Sequence, residues 1–332
     1  MKRWKWIVTL ALGGPLLACG GGAEEGADEN ALSGPVEVDG SSTVFPIAEA
    51  IAEEFQRAHP ETRVTVGVSG TGGGFKRFCA GETDISDASR PIEEEERALC
   101  EQNGISFTEI RIAWDGLSVV TNPANTYVDC LTTEELKRVW EPGSSINNWS
   151  QIRSGFPDKP LTLFGPGTDS GTFDYFTEEI VGETDASRAD YTASEDDNTL
   201  VQGVAGEPSA LGYFGFAYYE ENTDKLKLLG VDAGSGCIQP SVATIESGEY
   251  APLSRPLFLY VSDRGLAKPQ VRAFIDFALG DGTPLVREVG YIALKPEQYE
   301  EERAKLEGGT AAPAGTTAPA DTTAPADTTG AR

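Results

Sequence analysis

Four times this chain runs a short strand-like segment into a cluster of glycines and hydroxyls, and then into a helix with one apolar face. "DGSST" leads into "VFPIAEAIAEEF", where Ile47, Ile51 and Phe55 recur at helical spacing and Pro46 suits a first turn. "VSGTGGG" leads into "FKRFCAG". "SDAS" and Arg90 lead into "PIEEEERALC", with Ser89 placed to cap that helix. "GPGTDSGT" leads into "FDYFTEEIV", with Phe173, Phe176 and Ile180 on one face. Strands alternating with helices require an α/β architecture, here expected to carry mostly parallel sheets. In such sheets ligands sit beyond the strand C-termini, where helices begin.

The rest of the pattern agrees. Val64, Val66 and Val68 alternate at period two. "ISFTEIRIAWDGLSVVTNP" is a long extended stretch, and "KPLTLFG", "ALGYFGFAYY", "KLKLLGV" and "PLFLYVS" are further strands. Helices are expected at Pro46–His59, Phe75–Gly81, Pro91–Gln102, Thr132–Trp140, Thr172–Val181 and Lys268–Leu279. A chain of 332 residues with 39% hydrophobic residues can bury real cores and should divide into two lobes.

One glycine–hydroxyl loop means little, since Ser and Thr cap helices and Gly shapes αβ turns in any protein. Several together mean more. Helix N-termini offer free N–H groups and the positive end of the dipole, and glycines let backbone approach closely. A converging set forms a polar, uncharged cage for an oxyanion. Enzymatic readings fit worse. A phosphate loop of the P-loop type needs a Lys that "GPGTDSGT" lacks. Asp169-Ser170-Gly171 resembles an aspartic-protease signature, yet that chemistry needs a second such carboxylate and no second D-[ST]-G occurs. "GVSGT" misses the nucleophile elbow by its last residue. A triad would rest on His59, the single histidine, which reads as a helix-terminal residue in "RAHP". No enzyme activity, cofactor or metal is expected.

The formal charge of −27 and pI near 4.3 argue against nucleic acid and anionic membrane surfaces as partners. Lys2, Arg3 and Lys5 precede a short apolar run, "WIVTLALGGPLLA", too short to span a bilayer. It ends in "LLAC", which resembles a bacterial lipoprotein cleavage box with Cys19 as the lipidated residue. Residues 1–18 then form the signal peptide, and losing their three cations takes the formal charge from −27 to −30. Residues 19–34 read as a tether. Residues 301–332 read as a disordered tail, most of it the repeat "GGTAAPAGTTAPADTTAPADTTGAR", which has no hydrophobic face. Four cysteines remain outside the cytoplasm and suggest two disulfides. Of the three connectivities, Cys79–Cys100 and Cys130–Cys237 are favoured.

Taken together, "DGSSTVFPIAEAIAEEF", "GVSGTGGGFKRFCAGETDISDASRPI", "GPGTDSGTFDYF" and "LGYFGFAYYEEN" resemble the phosphate-binding lipoproteins of bacterial phosphate ABC transporters. The resemblance runs in order through about residues 35–300. It implies a two-lobed periplasmic-type binding protein (type II-like) that clamps inorganic phosphate between its lobes and delivers it to ABC permease subunits, acting as a monomer at the cell envelope. Residues 35–115 and 254–300 would form lobe I and residues 116–253 lobe II, joined by crossovers near Ala113–Leu117 and Ser254–Leu257. Carried over by motif, the ligand residues are Ser42, Thr43, Thr71, Ser170, Gly171 and Thr172, with Ser69 and Gly72 as neighbours. The better-known members carry an Asp where this chain has Ser89 and an Arg where it has Pro166. The cation is therefore expected from Arg90 beside Ser89, and the acceptor for the phosphate proton from Asp169 or Asp115. A sensor or surface scaffold of the same fold, or a binder of another tetrahedral oxyanion such as sulfate, is the alternative.

Overall fold

The computed structural model describes residues 32–168 and 170–307. Cys19, the signal, most of the tether, Asp169 and residues 308–332 lie outside the described residues.

The first half of the chain contributes β1 (Gly34–Gly40), α1 (Phe45–Ala58), β2 (Thr62–Val68), α2 (Thr71–Cys79), β3 (Ile85–Ala88), α3 (Glu94–Gln102), β4 (Phe107–Thr121), β5 (Cys130–Thr132), α4 (Thr133–Trp140), α5 (Trp149–Ile152), β6 (Thr162–Gly165) and α6 (Gly171–Phe176). A π-helical turn, Thr177–Val181, continues α6. There follow β7 (Thr192–Ala193), α7 (Asp197–Gly206), β8 (Ala210–Gly215), α8 (Phe216–Glu220), β9 (Lys227–Asp232), β10 (Cys237–Ile238), α9 (Val242–Glu246), β11 (Ser254–Ser262), α10 (Asp263–Leu266), α11 (Pro269–Ala278), α12 (Thr283–Glu288), β12 (Ile292–Ala293) and α13 (Pro296–Glu307).

The strands form a mixed α/β fold built on two sheets that share one strand. One sheet has the order β2-β1-β3-β11-β4, with β12 on β4. The other continues from β4 through β8 and β6 to β7, with β9 also on β4 and carrying β5 and β10. β4 thus serves both. Its first part pairs with β11 and its last residues pair with β8 and β9. The two expected crossovers pair with each other, Ala113 opposite Leu257 and Gly116 opposite Ser254. The sheets are mixed, not mostly parallel as the βα alternation suggested. β1 is parallel to β2 and β3, but β11 is antiparallel to both of its neighbours, because the chain leaves along β4 and returns along β11.

Apolar faces land where the periodicity put them. Ile47, Ile51 and Phe55 of α1 pack with Val36 and Val38 of β1, and with Val271, Phe274 and Ile275 of α11, in one continuous core. That core also holds Trp140, Phe176 and Tyr213, the last two rings stacked at 3.7 Å between centroids. Each such side chain buried contributes roughly 1.5–3 kcal/mol. A satellite core of Phe75, Phe78, Ile92 and Tyr260 forms around the Cys79–Cys100 disulfide, whose Cα atoms are 4.3 Å apart. It ties the end of α2 to α3. Cys130–Cys237 is also formed, at 6.1 Å, joining β5 to β10 across β9.

Several boundaries move. α2 begins at Thr71 rather than Phe75, because "TGGG" supplies its first turn. "FAYY" is the helix α8, not the end of a strand. Residues 301–307, assigned above to the tail, are the last turns of α13, where Glu302 and Leu306 are buried. The Arg111 amide donates to Glu302 at 3.0 Å, which fastens this helix to β4. α3 starts at Glu94, and its cap is Glu93, with Glu96 returning the capping box. Ser89 is therefore not the cap of that helix, and its hydroxyl is left for another use.

Candidate anion-binding site

The four glycine–hydroxyl loops meet. The loop 41–43 leaves β1 and enters α1. Ser41 is buried there, and its Oγ accepts the Thr43 amide at 3.2 Å. Gly40 just before it cannot carry a side chain, since a Cβ would lie 2.0 Å from the Asp87 carbonyl oxygen. The first turn of α1 has no side-chain cap and contains Pro46. At the start of α2, Thr71 Oγ1 lies 3.2 Å from Ser89 Oγ and accepts the Ser89 amide at 3.3 Å. At the start of α6, Ser170 caps the helix, its Oγ accepting the Thr172 amide at 3.2 Å.

These loops open on a cavity of about 500 Å³. Ser42, Thr43, Thr71, Ser89 and Arg90 line it, all expected from the sequence. The α6 loop closes on the first loop, for Thr43 Oγ1 donates to the Gly171 carbonyl at 3.2 Å. A Cβ on Gly171 would fall 2.6 Å from Thr43 Cα, so only glycine permits that approach. Asp115 lies behind the cavity, buried and not lining it.

Arg90 reaches the cavity but is already held. Its guanidinium forms two 2.8 Å bonds with Glu96 and a 3.4 Å pair with Glu93. The Glu96 bond, more than anything else around it, raises the Arg90 pKa further. Arg255, which the sequence reading did not single out, is differently placed. It sits at the start of β11 and is largely buried. Its Nη2 donates to Thr43 Oγ1 at 2.7 Å and its Nε lies 3.4 Å from Asp115 Oδ2. Its plane covers the Tyr175 ring at 3.4 Å, and the Tyr175 hydroxyl is anchored on the Pro252 carbonyl at 2.5 Å. Tyr291 holds the same loop from behind, donating to the Thr43 carbonyl at 2.6 Å.

The opposite wall is acidic. Asp174, Glu178 and Glu179, from α6 and its π-helical continuation, face the cavity. Asp174 accepts the Ser42 hydroxyl at 2.5 Å. Burial raises the Asp174 pKa. Ser42 counters this, and the neighbouring Asp185 adds to the rise. Burial also lifts Asp115, against the pull of Arg255. Beneath the loop 41–43 lies Asp87, fully buried, with neither carboxyl oxygen hydrogen-bonded to a side chain or amide at normal geometry. Burial pushes its pKa to about 8, and the Ser41 amide only partly opposes that. Among the described residues no group of three His, Cys, Asp or Glu is arranged to hold a metal ion.

A single arginine in "PLSRPLFLYVS" gave little signal, since nothing in a strand pattern says that it faces a cleft. Asp174 was hidden within a helix motif. The signal for it was its spacing, four residues past Ser170 and so on the cleft side of α6.

Comparison with known proteins places the geometry in context. Residues 25–282 match the family described as a PBP superfamily domain. The chain is 51% identical over 267 residues to the protein SphX of Synechocystis sp., covering 80% of each chain. It is 39% identical over 311 residues to the phosphate-binding protein PstS of Staphylococcus saprophyticus, covering 92% of this chain and 95% of that one. A crystal structure described as a possible phosphate binding protein from Planctomyces limnophilus is 51% identical and superposes with a TM-score of 0.80, covering 83% of this chain and 99% of that one.

Proposed function

Since the chain belongs to the PBP superfamily, with phosphate-binding proteins among its relatives, we propose that it captures inorganic phosphate in the 500 Å³ cleft and hands it to an ABC importer. The observation that carries this reading is the meeting of three elements at Thr43. Its hydroxyl touches Arg255 from β11 and the Gly171 carbonyl from the α6 loop, and it directly precedes Val44, the N-cap of α1. A tetrahedral anion there is offered hydroxyls from Ser42, Thr43, Thr71 and Ser89, amides at helix starts, and one guanidinium.

We assign the cation to Arg255 rather than to Arg90. Arg90 makes a paired, bidentate contact with Glu96, which leaves little of its fork for a ligand. Arg255 has one weak carboxylate contact, at 3.4 Å, and points at the loop 41–43. Arg90 then acts at the mouth of the cleft. Asp115 holds Arg255, so the acceptor for a phosphate proton falls to the cleft wall or to Asp169. The relatives are transporter binding proteins rather than enzymes, and in this reading the protein acts by binding, not turnover.

In this reading the two sheets centre two lobes, with boundaries in the β4–β11 crossovers, and hinge closure follows capture. The chain acts as a monomer at the envelope, lipidated at Cys19 after cleavage of residues 1–18, and meets permease subunits in the membrane. Calorimetry of the soluble chain against phosphate, sulfate and arsenate tests the ligand. Binding of phosphate and arsenate without sulfate is expected; no heat with phosphate would end the reading. Mass spectrometry of the mature N-terminus tests the anchor, and an unmodified Cys19 would refute it.

A further inference from the structure

The Ser42 hydroxyl is aimed at the place an anion would take, yet a carboxylate of this chain is bonded to it. Asp174 Oδ2 and Ser42 Oγ are 2.5 Å apart, across 132 residues of sequence and from opposite sides of the cavity. A carboxylate beside the start of α1 satisfies the same hydroxyl and the same dipole that would serve a phosphate oxygen. The groups around Asp174 are few. Asp185 lies against it from the loop after the π-helical turn, Arg255 faces it from β11 and Tyr213 from β8. Glu178 and Glu179 follow one turn on.

Asp185 is held in position. It is the one non-glycine residue with positive φ among the described residues, at 65°, and its amide donates to the buried Thr177 hydroxyl at 2.9 Å. Thr177 begins the π-helical turn, a local irregularity of the kind found at functional sites. The backbone there spends strain to set two carboxyl groups side by side.

We propose that Asp174 is a built-in surrogate anion that latches the α6 wall to the loop 41–43, and that phosphate enters by displacing it as the Asp174–Asp185 pair takes up a proton from solvent. The proposal rests on the phosphate reading above. An ionised Asp174 competes for Ser42 and repels the incoming ligand; once protonated it does neither strongly. Arg255 favours the ionised state and Asp185 opposes it. Because the folded-state pKa of Asp174 is raised, competition grows as pH rises through that pKa and fades below it.

Calorimetry with inorganic phosphate on the wild type, Asp174→Asn and Asp185→Asn, near pH 6 and near pH 8, in two buffers of different protonation enthalpy, reads this directly. The ratio of wild-type to variant Kd removes the titration of phosphate itself. Asp174→Asn is expected to bind more tightly than wild type, by a factor that grows from the lower pH to the higher, and to take up fewer protons on binding. Asp185→Asn is expected to move the pH at which the wild-type competition sets in downward. A ratio that does not change with pH, or weaker binding by Asp174→Asn at every pH, overturns the latch. A second readout needs no phosphate. Spin labels at the exposed positions Glu61 and Glu183 report the distance across the cleft. That distance should lengthen in phosphate-free Asp174→Asn and Ser42→Ala. An unchanged distance refutes the latch whatever the ligand is, whereas failure of wild type to bind phosphate with the distance change present refutes only the ligand assignment.

Discussion

Arg255 lies directly opposite Asp115 in the antiparallel register of β11 and β4, and the same guanidinium donates to Thr43 Oγ1 at 2.7 Å. One side chain therefore links β11, β4 and the loop 41–43. Arg255→Ala should weaken phosphate binding by about 2–4 kcal/mol, roughly 30- to 700-fold, through loss of a charge-assisted donor. It also strands a buried Asp115 and should destabilise the fold. The pair Arg255→Met with Asp115→Asn should restore stability in urea without restoring affinity. Arg90→Ala should change affinity less than Arg255→Ala. Calorimetry that ranks the two arginines the other way would reverse the assignment.

Asp87 makes stability depend on pH. Its carboxyl is buried and its pKa is raised from 3.8 to about 8, so the folded state favours the neutral form. From the unfolded pKa near 4 up to about 8, the unfolded chain releases this proton and the folded one keeps it. Stability then falls as pH rises across that window, by up to about 1.4 kcal/mol per pH unit. Asp87→Asn removes the dependence. Urea melts near pH 5 and near pH 8 should show the variant gaining on wild type at the higher pH. A gap independent of pH would show that Asp87 is ionised in the fold.

Gly171→Ala should uncouple the loops. The added methyl would meet the Thr43 backbone at 2.6–2.8 Å, and backbone cannot rotate away. Overpacking of this kind costs about 1–3 kcal/mol, and here it falls on the loop contact that shapes the cleft. Phosphate affinity should drop at least about tenfold. Affinity within threefold of wild type would mean that the α6 loop does not act in binding.

The two disulfides should differ in weight. Cys79–Cys100 spans 21 residues and Cys130–Cys237 spans 107. In the loop-entropy account their removal should destabilise by about 3 and about 4.7 kcal/mol respectively. Paired Cys→Ser variants, melted in urea, should follow that order. The reverse order would show that strain or residual structure outweighs loop length.

Much of this was legible in the sequence. Helices with a clean apolar face, such as that of Ile47, Ile51 and Phe55, formed where the spacing put them, because burial of one face is what fixes a helix. The four loops converged because strand C-termini in such a fold share one edge. What escaped was long-range. Ser89 followed by Pro91 reads as a cap locally, yet Glu93 and Glu96 form a better capping box a few residues on. The direction of β11 follows from its place between β3 and β4, which no local pattern records. Arg255 and Asp174 gain their meaning from partners 212 and 132 residues away.

The insertion of β11 between β3 and β4 also bears on how this chain is made. β3 and β4 are synthesised early, but the strand that fills the gap between them begins at Ser254. At about 5–20 residues per second, its arrival lags β3 by roughly 8–33 seconds. Throughout that interval both strands present bare edges, and the first sheet cannot close. Until β11 arrives, β3 and β4 have no strand to join them, and the cleft framed by these strands cannot be completed. Late insertion of one strand thus delays completion of the first sheet, and the delay is set by the order of segments along the chain rather than by any residue in the cleft.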